Sequence, residues 1–155
     1  AHQDTVMQYI KVKERVFPIG RLDYNTTGLL LFTNDGDYAN RVMHPRYEID
    51  KTYLVELDKR VDDYLINKVE QGIHLKDGWT SPAIVKKVRG KVLRITIHEG
   101  KNRIIRRMMK ALGYEVKYLE RVMIGGLGLG SYHINIPRVL IRTPLNHIHI
   151  SMCMG

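Results

Sequence analysis

The segment AIVKKVRGKVLRITIHEGKNRIIRRMMKAL, residues 83–112, has the patterns of two strands followed by a helix. Ala83 to Val88 and Val92 to His98 are rich in β-branched residues, and the short link between them, centred on Gly90, is typical of a hairpin. In the second strand apolar side chains alternate with polar ones, so one face is expected to pack on a core. The segment therefore predicts an antiparallel pair of strands.

A basic helix is predicted directly after the second strand, from Arg103 to Leu112. Asn102 suits its N-cap and Gly113 its C-cap. Its apolar residues recur at helical spacing and are expected to face the core: Ile105, Met108, Met109 and Leu112. Its other surface carries four cations: Arg103, Arg106, Arg107 and Lys110.

The rest of the chain indicates an α+β protein with a mainly antiparallel sheet and flanking helices. Further strands are predicted at Leu29–Thr33, Thr52–Leu57, Val116–Leu119 and Val139–Arg142. Further helices are predicted at residues 5–15, 37–43 and 61–71. With 155 residues and no linker or repeat, the chain is expected to form a single domain, residues 1–155.

The charge of the chain is concentrated in one segment. The whole chain has 25 Lys and Arg against 16 Asp and Glu, a formal net charge of +9. The segment from Lys86 to Arg121 holds 12 basic and three acidic residues, so it carries the entire excess. A solubilising surface would spread its charge, whereas a concentrated one favours a polyanionic partner such as nucleic acid.

Composition excludes several classes of protein. An apolar fraction of 44% and a charged fraction of 26% are those of an ordinary globular chain rather than a disordered one. The single cysteine, Cys153, excludes a disulfide framework within this chain. The apolar run Leu29–Phe32 is too short to cross a bilayer, so no membrane association is expected. Because no secretory leader is present, we expect a cytoplasmic location.

Two other patterns are interpreted structurally. His147, His149 and Cys153 alternate as on a strand, but their spacing matches no usual zinc site, so no metal is predicted. The glycine-rich residues 125–130 lack the strand–loop–helix unit of a dinucleotide site and are interpreted as a flexible loop.

The loop from Gly20 to Gly28 contains a candidate catalytic carboxylate, Asp23. Its glycines, and the buried strand that follows, would hold such a carboxylate in a fixed position. Asp also commonly caps a turn with its side chain. On the pattern alone, the capping role is favoured.

The loop also resembles the active-site motif of bacterial ribosomal-RNA pseudouridine synthases of the RsuA/RluB type. The similarity continues through several blocks in the same order as in that family. They read GRLD at residues 20–23, TGLLLFTNDG at 27–36, HPRY at 44–47, KTYLV at 51–55, EGKNR at 99–103, RRM at 106–108, LERV at 119–122 and IGG at 124–126.

The resemblance implies a cofactor-free isomerisation of uridine within structured RNA. It places the nucleophile on Asp23, which would attack either C6 of the uracil or C1′ of the ribose. It places the cation beside that carboxylate on Arg106, with Arg107 and Arg121 as less favoured substitutes. Tyr53 matches the tyrosine whose ring stacks on the target base and whose hydroxyl assists proton transfer.

The resemblance further implies a ribosomal RNA partner with an extruded or unpaired target uridine, bound by a monomer. Arg21 matches a position that contacts the displaced nucleotide or fills its space. The remaining expected RNA contacts are the cations of the basic segment: Lys101, Arg103, Arg107, Lys110 and Arg121.

The chain differs from the family pattern in three respects. Position 104 is Ile where the family usually has Gln, and residues after Gly130 do not match. The family's first catalytic strand and its small upstream S4-type RNA-binding domain are missing, so we expect an incomplete catalytic core. Two alternatives stay open: an RNA-binding protein without activity, and pseudouridylation of another RNA such as transfer RNA.

The concentrated positive charge predicts a steep salt dependence of RNA binding. If roughly three to five phosphates are neutralised, the logarithm of the association constant falls with that of salt concentration at a slope of about −2 to −3.5. Fluorescence anisotropy of a labelled RNA hairpin at increasing salt measures this slope. An affinity that stays flat between low and moderate salt would contradict the prediction.

Overall fold

Short strands and three helices make up the described part of the chain. The computed structural model describes residues 15–101, 103–128, 139–142 and 151–153. Its helices are α1 (Gly36–Met43), α2 (Asp63–Gln71) and α3 (Ile104–Ala111), with a 3₁₀ turn at Pro45–Tyr47. Its strands are β1 (Phe17–Ile19), β2 (Thr27–Gly28), β3 (Leu30–Thr33), β4 (Lys51–Leu57), β5 (His74–Leu75), β6 (Gly78–Trp79), β7 (Ile84–Arg89), β8 (Val92–Ile97), β9 (Val116–Ile124), β10 (Leu127–Gly128), β11 (Val139–Arg142) and β12 (Ser151–Cys153).

The largest sheet has the strand order β10-β9-β4-β8-β7, and β2 pairs with the free edge of β9 over two residues. Its neighbouring strands are antiparallel, apart from the parallel pair β2–β9. The predicted hairpin of β7 and β8 is present, and a Thr52–Thr96 hydroxyl pair at 2.9 Å links β4 to β8.

Helices α2 and α3 contribute to the main core, which also contains side chains of β4, β8 and β9. Leu65 and Val69 of α2 are fully buried, as are Met108 and Met109 of α3. Asp62 caps α2, because its side chain accepts a hydrogen bond from the Leu65 N–H. The apolar side chains of the basic helix therefore pack in the core, as predicted. The cations of the helix lie on its opposite surface.

A second sheet has the order β1-β3-β11-β12 and is antiparallel throughout. Leu29 and Leu31 pack in a cluster with Ala39 of α1, whereas Leu30 and Phe32 form a separate cluster. Residues 29–32 are therefore buried on both faces of the strand, which explains their continuous apolar sequence.

The predicted fold class is confirmed: helices flank a mainly antiparallel sheet. Most predicted elements are present with ends shifted by one or two residues. Strand β9 is longer than predicted and continues through Glu120 and Arg121 to Ile124. Those two charged residues hide the strand pattern in the sequence, although both pair with β4.

Two local predictions are wrong. Residues 125–128 are not a flexible loop, because Gly125 adopts a positive φ of 56° in a tight turn and Leu127–Gly128 pairs with β9. Helix α3 begins one residue later than predicted, with Arg103 at the N-cap and no side-chain capping bond. Three further predictions fall outside the described residues: the cap Asn102, residues 5–14 of the first predicted helix, and the histidines His147 and His149.

The two sheets meet where residues 27–33 pass from the edge of β9 into β3. The Leu29 N–H donates to the Arg121 carbonyl at 2.7 Å, and Arg121 Nε donates back to the Leu29 carbonyl at 2.9 Å. At Gly28, which has a φ of +112°, a Cβ atom would lie 2.2 Å from the Arg121 carbonyl oxygen. Glycine is thus required at this contact.

Across the described residues, no helix combines the length and apolar character needed to span a membrane.

Gly28→Ala is expected to lower the free energy of unfolding by at least about 2 kcal/mol, because it adds a clash with backbone to an unfavourable φ. Gly36→Ala is the matched control, since its added Cβ has no atom within 4 Å apart from its chain neighbours and the backbone of its own helix, and it should change stability by less than about 1 kcal/mol. Urea denaturation measures both variants. Equal stabilities of the two variants would contradict the role of the close contact.

Candidate active site

A cleft of about 480 Å³ opens beside the contact between the sheets. It is lined by the loop after β1, by β4 and β9, and by the segment that leads into α3. Six of its lining side chains are cationic and two are acidic: Arg21, Lys51, Lys101, Arg103, Arg106 and Arg121, with Asp23 and Glu99. With a formal charge of +4, this surface favours an anionic ligand.

Asp23 lies in a turn that the sequence builds from glycine and polar residues. Gly20 has a φ of +73°, which a residue with a side chain adopts rarely. The Thr26 N–H closes the turn by donating to the Asp23 carbonyl at 2.9 Å. No hydrogen bond, and no ion pair within 4 Å, engages the half-buried Asp23 carboxylate within the described residues. The carboxylate is therefore accessible to a ligand in the cleft.

Arg106 reaches the same cleft from the first turn of α3. Its Nη2 donates to the Asn25 carbonyl at 2.7 Å, which ties the helix to the Asp23 loop. Burial and then the neighbouring Arg103 lower the pKa of Arg106, whereas the charge of Asp23 opposes this shift. Its buried Nε has no hydrogen-bond partner among the described residues. Arg106 is thus a cation whose pKa responds to the charge of Asp23.

Tyr53 lies on β4, opposite Arg121 of β9. An irregularity in the β4–β9 register falls between Thr52 and Tyr53. Bulges of this kind redirect side chains and are common beside active sites. The half-buried Tyr53 lines the cleft and also packs against the main core, so its ring position is constrained on one side.

Two basic residues form the floor of the cleft: Lys51 on β4 and Arg121 on β9. Arg121 is only 6% exposed, and its buried Nη2 lacks a hydrogen-bond partner among the described residues. Burial and then the charge of Arg121 lower the pKa of Lys51, opposed by Asp50. Because these two positive charges lie close together and are shielded from water, they lower the stability of the fold. The same charges favour the binding of a negative group.

Asn25 contacts two arginines of the cleft, and the sequence patterns did not identify it as part of the site. Its backbone carbonyl accepts from Arg106, and its Oδ1 accepts from Arg103 Nη1 at 3.4 Å. The sequence holds no local signal for this contact, because the partners are about 80 positions apart. Lys51 could have been identified, since it directly precedes the predicted strand Thr52–Leu57 and lies two positions before Tyr53, the spacing of one strand face.

The predicted RNA-contacting residues divide into two groups. Arg21, Lys101, Arg103 and Arg121 line the cleft together with the three predicted catalytic residues, Asp23, Tyr53 and Arg106. Arg107 and Lys110 are not among its lining residues. Instead, Arg107 forms an ion pair with Asp77 at 2.7 Å, and Lys110 is exposed near the end of α3.

Chemically, the cleft offers one accessible carboxylate, a phenol and a set of cations. Glu99, its other carboxylate, accepts a hydrogen bond from the Ser81 N–H at 2.9 Å and lies 3.9 Å from Lys101 Nζ. Among the described residues, no three His, Cys, Asp or Glu side chains are grouped so that they could hold a metal ion. The arrangement suits nucleophilic attack by Asp23 on a substrate that carries phosphates.

The lowered pKa of Lys51 predicts that its removal stabilises the fold. Below its ordinary pKa of 10.5, the unfolded chain holds the Lys51 proton more tightly than the folded chain does, so the charged side chain disfavours folding. Lys51→Met should raise the free energy of unfolding at neutral pH, and the gain should shrink as the pH rises towards about 10. Urea denaturation at neutral pH and at about pH 10 measures this gain in the free energy of unfolding.

Lys87→Met, at an exposed position of β7, is the control and should show no comparable change between the two pH values. A Lys51→Met protein that is less stable than the wild type at neutral pH would contradict the repulsion inferred at the floor of the cleft.

The comparisons with known proteins agree with this geometry. The profile of a family described as RNA pseudouridylate synthase matches residues 2–111. A ribosomal large subunit pseudouridine synthase B of Bacillus subtilis is 46% identical over 135 residues, which cover 83% of this chain and 55% of that protein. An uncharacterised RNA pseudouridine synthase of Aquifex aeolicus is 47% identical over 131 residues, covering 81% of this chain and 53% of that protein.

A solved structure leads to the same conclusion. The crystal structure of a pseudouridylate synthase superposes with a TM-score of 0.71 at 36% identity, over 73% of this chain and 50% of the other. The chain spans little more than half the length of the curated relatives it matches. The family predicted from the motifs is confirmed: this chain belongs to the RNA pseudouridylate synthases.

Proposed function

We propose that this protein isomerises a uridine of ribosomal RNA to pseudouridine, with Asp23 as the nucleophile. The observation that carries the proposal is a convergence of three distant segments. Asp23, Tyr53 and Arg106 line one positively charged cleft, and they are the residues that match the family motifs. Membership of the RNA pseudouridylate synthases supports the reaction, and the Bacillus subtilis relative supports ribosomal RNA as the substrate.

The reaction needs only groups that the chain and the RNA supply. A carboxylate oxygen of Asp23 forms a bond to C1′ as the N1–C1′ bond breaks and its electron pair moves into the uracil. Alternatively it adds to C6, the C5–C6 π electrons move towards the C4 carbonyl oxygen, and the N1–C1′ bond then breaks with its electron pair left on N1. After the base has turned, C5 bonds to C1′ and the Asp23 ester bond breaks. The C5 proton leaves and N1 gains a proton, so the atoms balance without a cofactor.

Arg106 holds the nucleophile in position. Burial and then Arg103 lower the pKa of Arg106, and the charge of Asp23 opposes them, so the guanidinium and the carboxylate attract each other in the cleft. The hydrogen bond from Arg106 to the Asn25 carbonyl, two residues after Asp23, fixes the distance between the helix and the loop. Arg106 is thus a catalytic residue, whereas Asn25 is a positioning residue.

Tyr53 binds the target base. Its ring can stack on the uracil while its hydroxyl takes part in proton transfer near C5. The core contacts on one side of the ring hold it ready for this stacking.

The cations of the cleft bind the RNA backbone around the target. A uridine inside a helix is out of reach, so the nucleotide is extruded or already unpaired when it binds. The exposed Arg21 contacts or replaces the displaced nucleotide, and Lys101 and Arg103 contact phosphates at the rim. These contacts supply affinity but little sequence information, so the position of the uridine within the ribosomal RNA is chosen by further contacts.

Asp23→Asn tests the proposal against the alternative of an RNA-binding protein without activity. The substitution removes the nucleophile and nearly preserves the shape of the side chain, so pseudouridine formation should fall by roughly 10⁴- to 10⁶-fold. Asp35→Asn is the matched control, because Asp35 caps α1 through Oδ1, an atom that asparagine retains. Pseudouridine mapping in ribosomal RNA incubated with each protein gives the activity, and anisotropy gives the RNA affinity.

Loss of modification in Asp23→Asn with unchanged RNA affinity, and full activity in Asp35→Asn, is the expected result. Pseudouridine formation that survives Asp23→Asn would remove Asp23 from the mechanism. A wild-type chain that binds ribosomal RNA but modifies none of its uridines would favour the RNA-binding alternative.

A further inference from the structure

A small hairpin next to the cleft exposes the single tryptophan of the chain. Strands β5 and β6 pair through His74–Trp79 and Leu75–Gly78. Trp79 is 68% exposed, and its ring meets the edge of the His74 ring at a centroid distance of 5.3 Å. A large aromatic face that the fold leaves in solvent is available to a ligand.

The hairpin is firmly held at its base, so the position of Trp79 is defined. Thr80 forms two hydrogen bonds with Ile73, one from its N–H to the carbonyl at 2.9 Å and one from the Ile73 N–H to its Oγ1 at 2.8 Å. A Cβ atom at Gly72 would lie 2.5 Å from the Thr80 carbonyl oxygen. An aromatic side chain held in advance loses little conformational entropy when it binds.

Two residues of the basic segment connect the hairpin to the proposed active site. Lys101 lines the cleft, and its Nζ donates to the Trp79 carbonyl at 3.3 Å. Arg107 of α3 pairs with Asp77 in the hairpin turn at 2.7 Å. Trp79 therefore lies next to the cleft, beside Lys101, a cation that would bind the backbone of an RNA strand.

We propose that Trp79 is a stacking site for an unpaired base of the RNA that flanks the nucleotide in the cleft. Aromatic side chains combined with a positively charged groove are the general means of binding single-stranded nucleic acid. The positive charge of the neighbouring cleft favours RNA over an apolar protein partner at this face. The inference rests on the proposed function, because the strand that reaches Trp79 is the one whose uridine enters the cleft.

Because the chain has a single tryptophan, fluorescence excited at a wavelength that tyrosine does not absorb reports on this site alone. An RNA hairpin with a uridine-containing loop is titrated into the full wild-type chain and into Trp79→Ala and Trp79→Phe. RNA affinity is measured independently by anisotropy of the labelled hairpin, and circular dichroism verifies folding. Tyr64→Ala is the matched control, since Tyr64 is similarly exposed, at 63%, on α2 and does not line the cleft.

Saturable quenching of the wild-type fluorescence is expected, with the dissociation constant that anisotropy gives. Trp79→Ala should weaken binding by roughly 5- to 100-fold, Trp79→Phe by less, and Tyr64→Ala not measurably. Unchanged affinity in Trp79→Ala, with RNA binding and modification retained, would overturn this inference and leave the proposed function intact. A wild-type chain that does not bind RNA would overturn the proposed function, and this inference with it.

Discussion

The arrangement of the proposed active site depends on the contact between residues 27–29 and Arg121. Two hydrogen bonds join Leu29 to Arg121, one through the backbone and one through the guanidinium. Gly28 allows the two backbone segments to approach each other closely. This contact joins the small sheet to the edge of the large one. Because the Asp23 turn precedes it by only a few residues, the contact also fixes where the carboxylate meets the cleft. The buried charge of Arg121 is thus both a structural link and part of the floor.

The site combines an acid and a set of cations that come from different parts of the chain. The loop with Asp23 belongs to the electrically neutral remainder of the sequence, and the basic segment after Lys86 supplies most of the cations. Arg103 and Arg106 join the two parts through Asn25, at 3.4 and 2.7 Å. Burial and mutual repulsion of the cations are unfavourable for folding, as the lowered pKa of Lys51 indicates. A phosphate-bearing ligand would relieve this repulsion, so the cost in stability prepares the cleft for an anionic ligand.

Local patterns predict most of this fold and the family motifs predict the residues of the site, but neither predicts the long-range contacts. The hairpin of β7 and β8 and the buried face of α3 follow from apolar periodicity, and both are correct. The parallel pair β2–β9 involves only two residues on each side, and no period is visible at that length. The helix surface predicts an RNA contact for Arg107 but does not predict its ion pair with Asp77. That pair forms because the hairpin of β5 and β6, which periodicity does not reveal, packs against α3. Such contacts depend on how elements pack, which one-dimensional patterns do not encode.

The central claim is that Asp23 forms a bond to the nucleotide, and peptide mapping of a trapped adduct tests it most directly. In an RNA hairpin that carries 5-fluorouridine at the target, no proton can leave C5. If Asp23 adds to C6, it is still bonded to the ring when C5 joins C1′, so a bonded intermediate should accumulate; if it attacks C1′, its ester has already broken and the rearranged fluorinated nucleotide is released. The account predicts added nucleotide mass on the peptide that contains Asp23, or the rearranged nucleotide, and neither with Asp23→Asn. Added mass on a different residue, or an adduct that persists in Asp23→Asn, would contradict it.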